Sequence, residues 1–227
     1  MDKYKIILIS AIVLLFVINY SFLDRLVVNF FDEQEYVEVD RVIDGDTIVI
    51  ENGTSVRLLG INCPERSEIY YEEAKEFLEG LILDKNVKLE YGTPKYDRYQ
   101  RTLAFVFISN TNINIELVRA GLANVYVLDN KKYENRLRNA WEECIDKNVN
   151  LCEKSENACA ECIELEKFEE QTVVFKNKCE YDCSLNNWEI KDEGRKKFIF
   201  EDFELGAGNK VSIIVGQGED DETTLFW

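Results

Sequence analysis

The chain has 227 residues, 46% of them hydrophobic, which is enough to build one large or two small cores, so disorder is not the default. It contains no histidine, which excludes Ser-His-Asp and Cys-His nucleophiles, His-ligated zinc enzymes and imidazole acid–base chemistry. The formal net charge of −17 speaks against a uniformly basic surface, yet residues 35–152 carry 15 basic and 21 acidic side chains while residues 153–227 carry 9 and 19, so a locally positive cleft around a metal remains open to the first stretch.

Near the start, Lys3 and Lys5 precede the apolar run Ile6 to Phe22, IILISAIVLLFVINYSF. At ~1.5 Å per residue such a helix nearly spans a hydrocarbon core of ~30 Å, with Tyr20 suited to the interface. We read residues 1–34 as an N-terminal hydrophobic helix serving as membrane anchor, followed by an acidic connector, Leu23 to Gln34. A cleaved signal peptide is the alternative, although the small-x-small pattern around Asn19, Tyr20 and Ser21 is poor. A buried core helix is the bland reading. Lysines before the helix favour an inside N-terminus, which sends the rest of the chain outside: membrane-anchored with extracytoplasmic domains, or secreted.

Short strands are predicted next, at Tyr36 to Ile43, Thr47 to Glu51 and Ser55 to Leu59. Asn52-Gly53 between the last two reads as a hairpin turn. Glu68 to Ile82 has apolar residues at helical spacing (Ile69, Ala74, Phe77, Leu78, Leu81, Ile82) and predicts a helix. Strands at Val87 to Tyr91 and Thr102 to Ile108 follow, then a short helix at Ile115 to Ala120 and a long one at Tyr133 to Lys147. Five short strands with interleaved helices fit an OB-fold five-stranded barrel over residues 35–152, a fold that often binds single-stranded nucleic acid.

Within that stretch the chemistry concentrates in Arg41 to Ile50, RVIDGDTIVI, Val56 to Glu65, VRLLGINCPE, and Asp97 to Ala104, DRYQRTLA. Arg57 and Arg101 are planar forks, each able to hold a phosphate bidentately, and Asp46 and Glu65 offer oxygen for a hard cation and for water activation. The DGD turn can aim the Asp46 carboxylate into the barrel mouth while Gly45 permits the tight backbone. An ordinary Asx-turn is the competing reading of DGD alone. Arg57 sits among apolar residues, so its guanidinium needs a phosphate or a carboxylate partner.

These three segments, with Glu116 to Ala123, ELVRAGLA, resemble the staphylococcal-nuclease (thermonuclease) family from Val37 to Cys152. The resemblance implies the same barrel and a calcium-dependent hydrolysis of phosphodiester bonds in DNA or RNA. It assigns Ca2+ to Asp46, Asn62 and the backbone carbonyl of Cys63, water activation to Glu65, and transition-state stabilisation to Arg57 and Arg101. The better-known pattern has Asp where this chain has Asn62, which removes one negative charge from the metal site. Arg98 and Tyr99, with Tyr126, resemble positions that hold a terminal phosphate and stack on a base, although the loop around Tyr126 is one residue shorter here. The rivals are a non-catalytic OB module that grips nucleic acid, and a surface interaction protein acting through its C-terminal part on an unknown protein partner.

Residues 153–171 turn acidic and read as helical or linker-like. Strands resume at Thr172 to Lys176, Trp188 to Asp192, Lys197 to Phe203, Val211 to Gly216 and Thr223 to Trp227, predicting a smaller immunoglobulin-like β-sandwich over residues 172–227. The run VVFKNKCEYDCSLNNWEIKDEGRKKFIF and the later KVSIIVG resemble a lamin-tail domain, here ending inside a strand as if its last strand were missing. Of seven cysteines, Cys159 and Cys162 form C-x-x-C and Cys179 and Cys183 form C-x-x-x-C. They read as disulfides if the chain is exported, with Cys144 and Cys152 a further pair, or as a four-thiolate zinc site. Cys63 is left over.

Overall fold

The computed structural model describes Lys3 and residues 36–126, 131–169, 171–192 and 196–227. The predicted helix from Ile6 to Phe22 and its connector lie outside the described residues. Among the described residues no helix is long and apolar enough to cross a membrane. The chain divides into two compact units, Met1–Cys144 and Ile145–Trp227.

In the first unit, strand β1 (Tyr36–Asp44) buries Val37, Val39 and Val42. Its period-two alternation resets once because the register with β2 (Thr47–Ile50) shifts between Val39 and Arg41, the mark of a bulge. The Asn52-Gly53 turn forms as predicted. Gly53 adopts φ 80° and its amide donates to the Ile50 carbonyl at 2.7 Å, which returns the chain as β3 (Ser55–Leu58). The two-residue β4 (Ile61–Asn62) precedes helix α1 (Tyr71–Ile82). Strands β5 (Asn86–Tyr96), β6 (Thr102–Ile108) and β7 (Thr111–Asn112) follow.

β1, β2, β3, β6 and β5 pair in succession, and β5 returns to β1, so the sheet closes into a five-stranded ring consistent with an OB fold. Closure removes free edges from the strands that carry the chemistry. The β3–β6 pairing is parallel and sets Arg57 opposite Leu103.

α1 buries Ala74, Leu78 and Ile82 at successive i+4 spacing against the barrel core. It begins at Tyr71 rather than at Glu68, because the Glu68 carboxylate is used to accept the Glu65 amide at 2.7 Å and Tyr70 is left-handed at φ 69°. Leu78 is fully buried, so Leu78→Ala should cost about 2–5 kcal/mol. α2 (Ile113–Arg119) starts earlier than predicted because the Asn112 side chain caps it, accepting from the Ile115 amide at 3.3 Å. After β8 (Asn124–Val125), α3 (Glu134–Lys147) turns Leu137 and Ala140 inward.

In the second unit, the stretch read as a helical linker contains two short 3-10 turns, Asn150–Cys152 and Ala158–Glu161, and then a strand, β9 (Ile163–Glu169). Composition misled here because β9 is an edge strand whose residues are mostly exposed, so charges on it are solvated and guard the edge. β10 (Thr172–Asn177), β15 (Lys210–Ile214) and β16 (Thr224–Phe226) complete a four-stranded sheet in the order β16-β15-β10-β9. Two small ladders, β11 (Cys183–Ser184) with β14 (Glu204–Leu205) and β12 (Glu189–Lys191) with β13 (Lys197–Ile199), supply the rest of the strand structure. The core gathers Leu185, Phe200, Leu205, Val211, Ile213 and Leu225 around the cysteines.

Candidate active site

The turn between β1 and β2 is held by its own acids. The Asp46 amide donates to Asp44 Oδ1 at 3.1 Å, and Thr47 Oγ1 donates to Asp46 Oδ1 at 3.0 Å. The other Asp46 oxygen, Oδ2, accepts the Cys63 amide at 3.0 Å, pulling the segment after β4 onto the turn. Gly45 permits that approach, since a Cβ there would sit 2.9 Å from Cys63 Sγ and 2.8 Å from Ala74 Cβ. Asp46 is therefore a buried, fixed carboxylate, 3% exposed. Burial first, and then the Asp46 charge, push the Asp44 carboxyl above its usual range.

Arg57 supplies the counter-charge. Its guanidinium is buried beside Asp46, and Nη2 meets Asp46 Oδ2 at 3.0 Å and donates to Asn62 Oδ1 at 2.7 Å, while Nη1 donates to the Leu58 carbonyl at 2.7 Å. The carboxylate partner that a buried arginine requires is thus Asp46. The same contacts bear on a metal: Asp46 Oδ2 and Asn62 Oδ1, from different segments, converge on one cationic nitrogen. Hard oxygens gathered on a point of positive charge fit a calcium ligand pair. Cys63, buried and outside the disulfides, contributes its backbone here rather than its thiol.

Glu65 follows the buried Pro64 and is itself half-buried. Its amide is held by Glu68, and its carbonyl accepts the Glu68 amide at 2.8 Å, so the turn that carries its side chain is fixed at both ends. Arg101 stands just before β6, one residue ahead of Thr102, which pairs with Val56 beside Arg57. This places Arg57 on β3 and Arg101 in the loop that enters the strand paired with it.

Asp97 organises the Arg101 loop and was not among the sequence candidates. Asp97 Oδ2 accepts Arg101 Nε at 2.7 Å, and Oδ1 accepts the Tyr99 and Arg101 amides at 2.8 and 2.9 Å. Burial alone would raise the Asp97 carboxyl, but those hydrogen bonds and the Arg101 charge outweigh it and hold the group below the usual carboxylate range. The i,i+4 spacing of Asp97 and Arg101 is no signal by itself, because residues 97–101 form a turn between two strands rather than a helix. Tyr99 is 65% exposed, with the Arg98 guanidinium 4.8 Å from its ring centre and that of Arg101 5.6 Å away. Tyr126 is positioned by its amide, which donates to the Gly60 carbonyl at 2.8 Å, directly after β8 pairs Asn124 with Asn62. Asn114 is a second residue the sequence did not flag: fully buried, it accepts the Val106 amide at 3.0 Å and donates to the Leu59 carbonyl at 2.8 Å, tying β6 to the end of β3.

The site is thus a closed OB-type barrel with a buried Asp–Arg pair, a glutamate turn and a second arginine in the loop leading into the neighbouring strand. The family model described as Staphylococcal nuclease homologue matches residues 55–154. The thermonuclease of Staphylococcus hyicus is 34% identical over 130 residues, covering 52% of this chain and 76% of that protein. The thermonuclease of Staphylococcus intermedius is 34% identical over 126 residues, 51% of this chain and 75% of that protein. Endonuclease YncB of Bacillus subtilis is 34% identical over 131 residues, 52% of this chain and 62% of that protein. The chain belongs to the staphylococcal nuclease family.

Proposed function

We propose that this protein is a calcium-dependent nuclease that hydrolyses phosphodiester bonds of DNA or RNA. The observation that carries the reading is the convergence of Asp46 Oδ2 and Asn62 Oδ1 on the buried Arg57 guanidinium, in a family whose relatives are named thermonuclease and endonuclease. Asp46 and Asn62, with the Cys63 carbonyl, are the residues that would hold calcium, which when bound supplies Lewis-acid charge to a phosphate oxygen. Glu65 accepts a proton from water as its oxygen attacks phosphorus, and the P–O bond opposite the attacking oxygen breaks. Arg57 turns its fork from Asp46 to the phosphate oxygens, and Arg101, held at Nε by Asp97, keeps its outer nitrogens for the charge that grows on them. Arg98, Tyr99 and Tyr126 bind the flanking phosphate and base, which the exposed Tyr99 ring supports.

An extracytoplasmic place of work belongs to the proposal, supported by the apolar run from Ile6 to Phe22 and by cysteines joined as disulfides. The sequence from Val173 to Phe200 supports a lamin-tail-like β-sandwich as a surface interaction module in the second unit. The deciding experiment is digestion of single- and double-stranded DNA and RNA by the full chain, with calcium and with chelator, for the parent and Glu65→Gln. Cleavage that needs calcium and falls ~10²-fold or more in the variant is expected. Parent-like cleavage by Glu65→Gln, or binding without any cleavage, overturns the reading in favour of a non-catalytic OB module.

A further inference from the structure

In the second unit the four cysteines of the C-x-x-C and C-x-x-x-C pairs meet in one cluster. Cys159 is joined to Cys183 and Cys162 to Cys179, with Cα–Cα separations of 5.8 and 5.2 Å. The two disulfides touch: Cys179 Sγ lies 3.4 Å from Cys183 Sγ, and the sulfurs of Cys159, Cys179 and Cys183 all lie within 4.8 Å of one another. Two separate staples need no such convergence, whereas four sulfurs around one zinc at ~2.3 Å stand ~3.8 Å apart in a tetrahedron.

The backbone is arranged to hold them so. Each pair sits behind the same device, an Asn two residues before the first cysteine whose side-chain oxygen accepts that cysteine's amide: Asn157 to Cys159 at 2.9 Å and Asn177 to Cys179 at 2.8 Å. Asn177 is fully buried, and its Nδ2 donates to the Leu205 and Tyr181 carbonyls at 2.8 and 2.9 Å, so the second turn is fixed from both sides. The Lys178 amide donates to the Cys162 carbonyl at 2.8 Å, joining one cysteine turn to the other. Two short loops, each presenting two cysteines and bonded to each other, supply the four-thiolate donor set of a closed structural zinc site, with Cys162 brought to the other three sulfurs through Cys179.

We propose that Cys159, Cys162, Cys179 and Cys183 bind one zinc ion when reduced, and that the same four sulfurs become the two touching disulfides when oxidised. In the test the reductant is a phosphine. Each disulfide takes two electrons, the phosphine leaves as its oxide with the oxygen of one water, and two thiols form. Zinc then displaces the four thiol protons into solvent. The site concerns the second unit and does not depend on the barrel being a nuclease.

The full chain, reduced without oxygen, is desalted after incubation with zinc or cobalt and then treated with an alkylating agent, and the labelled cysteines are mapped. One metal per chain, a cobalt spectrum of tetrahedral thiolate type, and protection of Cys159, Cys162, Cys179 and Cys183 with Cys144 and Cys152 labelled are expected. Cys144→Ser should keep the metal, and Cys159→Ser should retain less than a tenth of it. A parent chain that holds no metal after desalting, an octahedral cobalt spectrum, or a protected set that includes Cys144 and Cys152 in place of the four overturns the proposal. Protection is read on the parent chain, so the test does not depend on either variant folding.

Discussion

The barrel closes its sheet on itself around a large apolar core and hides charge inside it, while the second unit leaves its four-stranded sheet open and gathers a small core around cysteines. Among the described residues, Asp46 and Arg57 are the buried charged side chains and both belong to the barrel; the buried polar group of the second unit is Asn177. The contrast is physical. A desolvated carboxylate is tolerable only where a counter-charge and hydrogen-bond donors are fixed beforehand, and a closed ring of strands fixes them. A small unit with few apolar layers gains more from covalent or metal cross-links, which constrain its unfolded chain, than from burying charge it cannot surround. Buried charge therefore collects in the barrel, and cross-linking cysteines collect in the second unit.

Altering the buried pair should have the largest effect. Arg57→Ala should lower cleavage by ~10²-fold or more and destabilise the first unit by roughly 3–5 kcal/mol, because Asp46 is left buried without its counter-charge. Arg57→Lys should restore part of the stability but little of the rate, since a point charge cannot make two parallel hydrogen bonds. Cleavage kinetics together with denaturant midpoints separate the two effects, and full-rate cleavage by the Lys variant would show that charge alone suffices.

Removing a staple tests the other side. Cys183→Ser should destabilise the oxidised second unit by about 3 kcal/mol, given the sequence separation of 24 residues between Cys159 and Cys183, with cleavage by the barrel changed less than about two-fold, within the scatter of independent sites. A large loss of cleavage would mean that the units are not energetically separate.

Asp97→Asn probes a partly exposed pair and should do less. The ionised Asp97 has its pKa held low in the folded chain, so its stabilisation is fully present above the unfolded value of ~3.9 and is lost as pH falls through the lower folded value. The variant should flatten the stability profile in that acid window and slow cleavage about tenfold at neutral pH by loosening Arg101. An unchanged acid limb would remove Asp97 from the account. Smallest should be Asn62→Asp, which adds an anionic oxygen beside Asp46 and should lower the calcium concentration for half-maximal cleavage by a few-fold, with little gain at saturating calcium. An unchanged or higher value would take Asn62 out of the ligand set.

The strands of the barrel were legible because alternation, Asn52-Gly53 and the helical spacing before Ile82 are local signals. β4, β7 and β8, each of two residues, carry too few side chains to show a period, and β9 hides behind its exposure. Arg57, Glu65 and Arg101 stand out in the sequence through the motifs around them. Asp97 and Asn114 escape the sequence reading because their work is to hydrogen-bond backbone groups, which neither an Asp in a loop nor an Asn in a short helix announces.

Composition and local spacing thus set the kinds of group available: no imidazole, two forked cations among carboxylates, and cysteines in paired spacings. Which carboxylate answers Arg57, that Asn62 shares that nitrogen, and that cysteines from two loops converge are set by long-range folding. The reason is distance along the chain. Spacing within one segment fixes what a turn or a helix face presents, but Asp46 reaches Cys63, and Cys159 reaches Cys183, only after strand pairing has brought separate segments together.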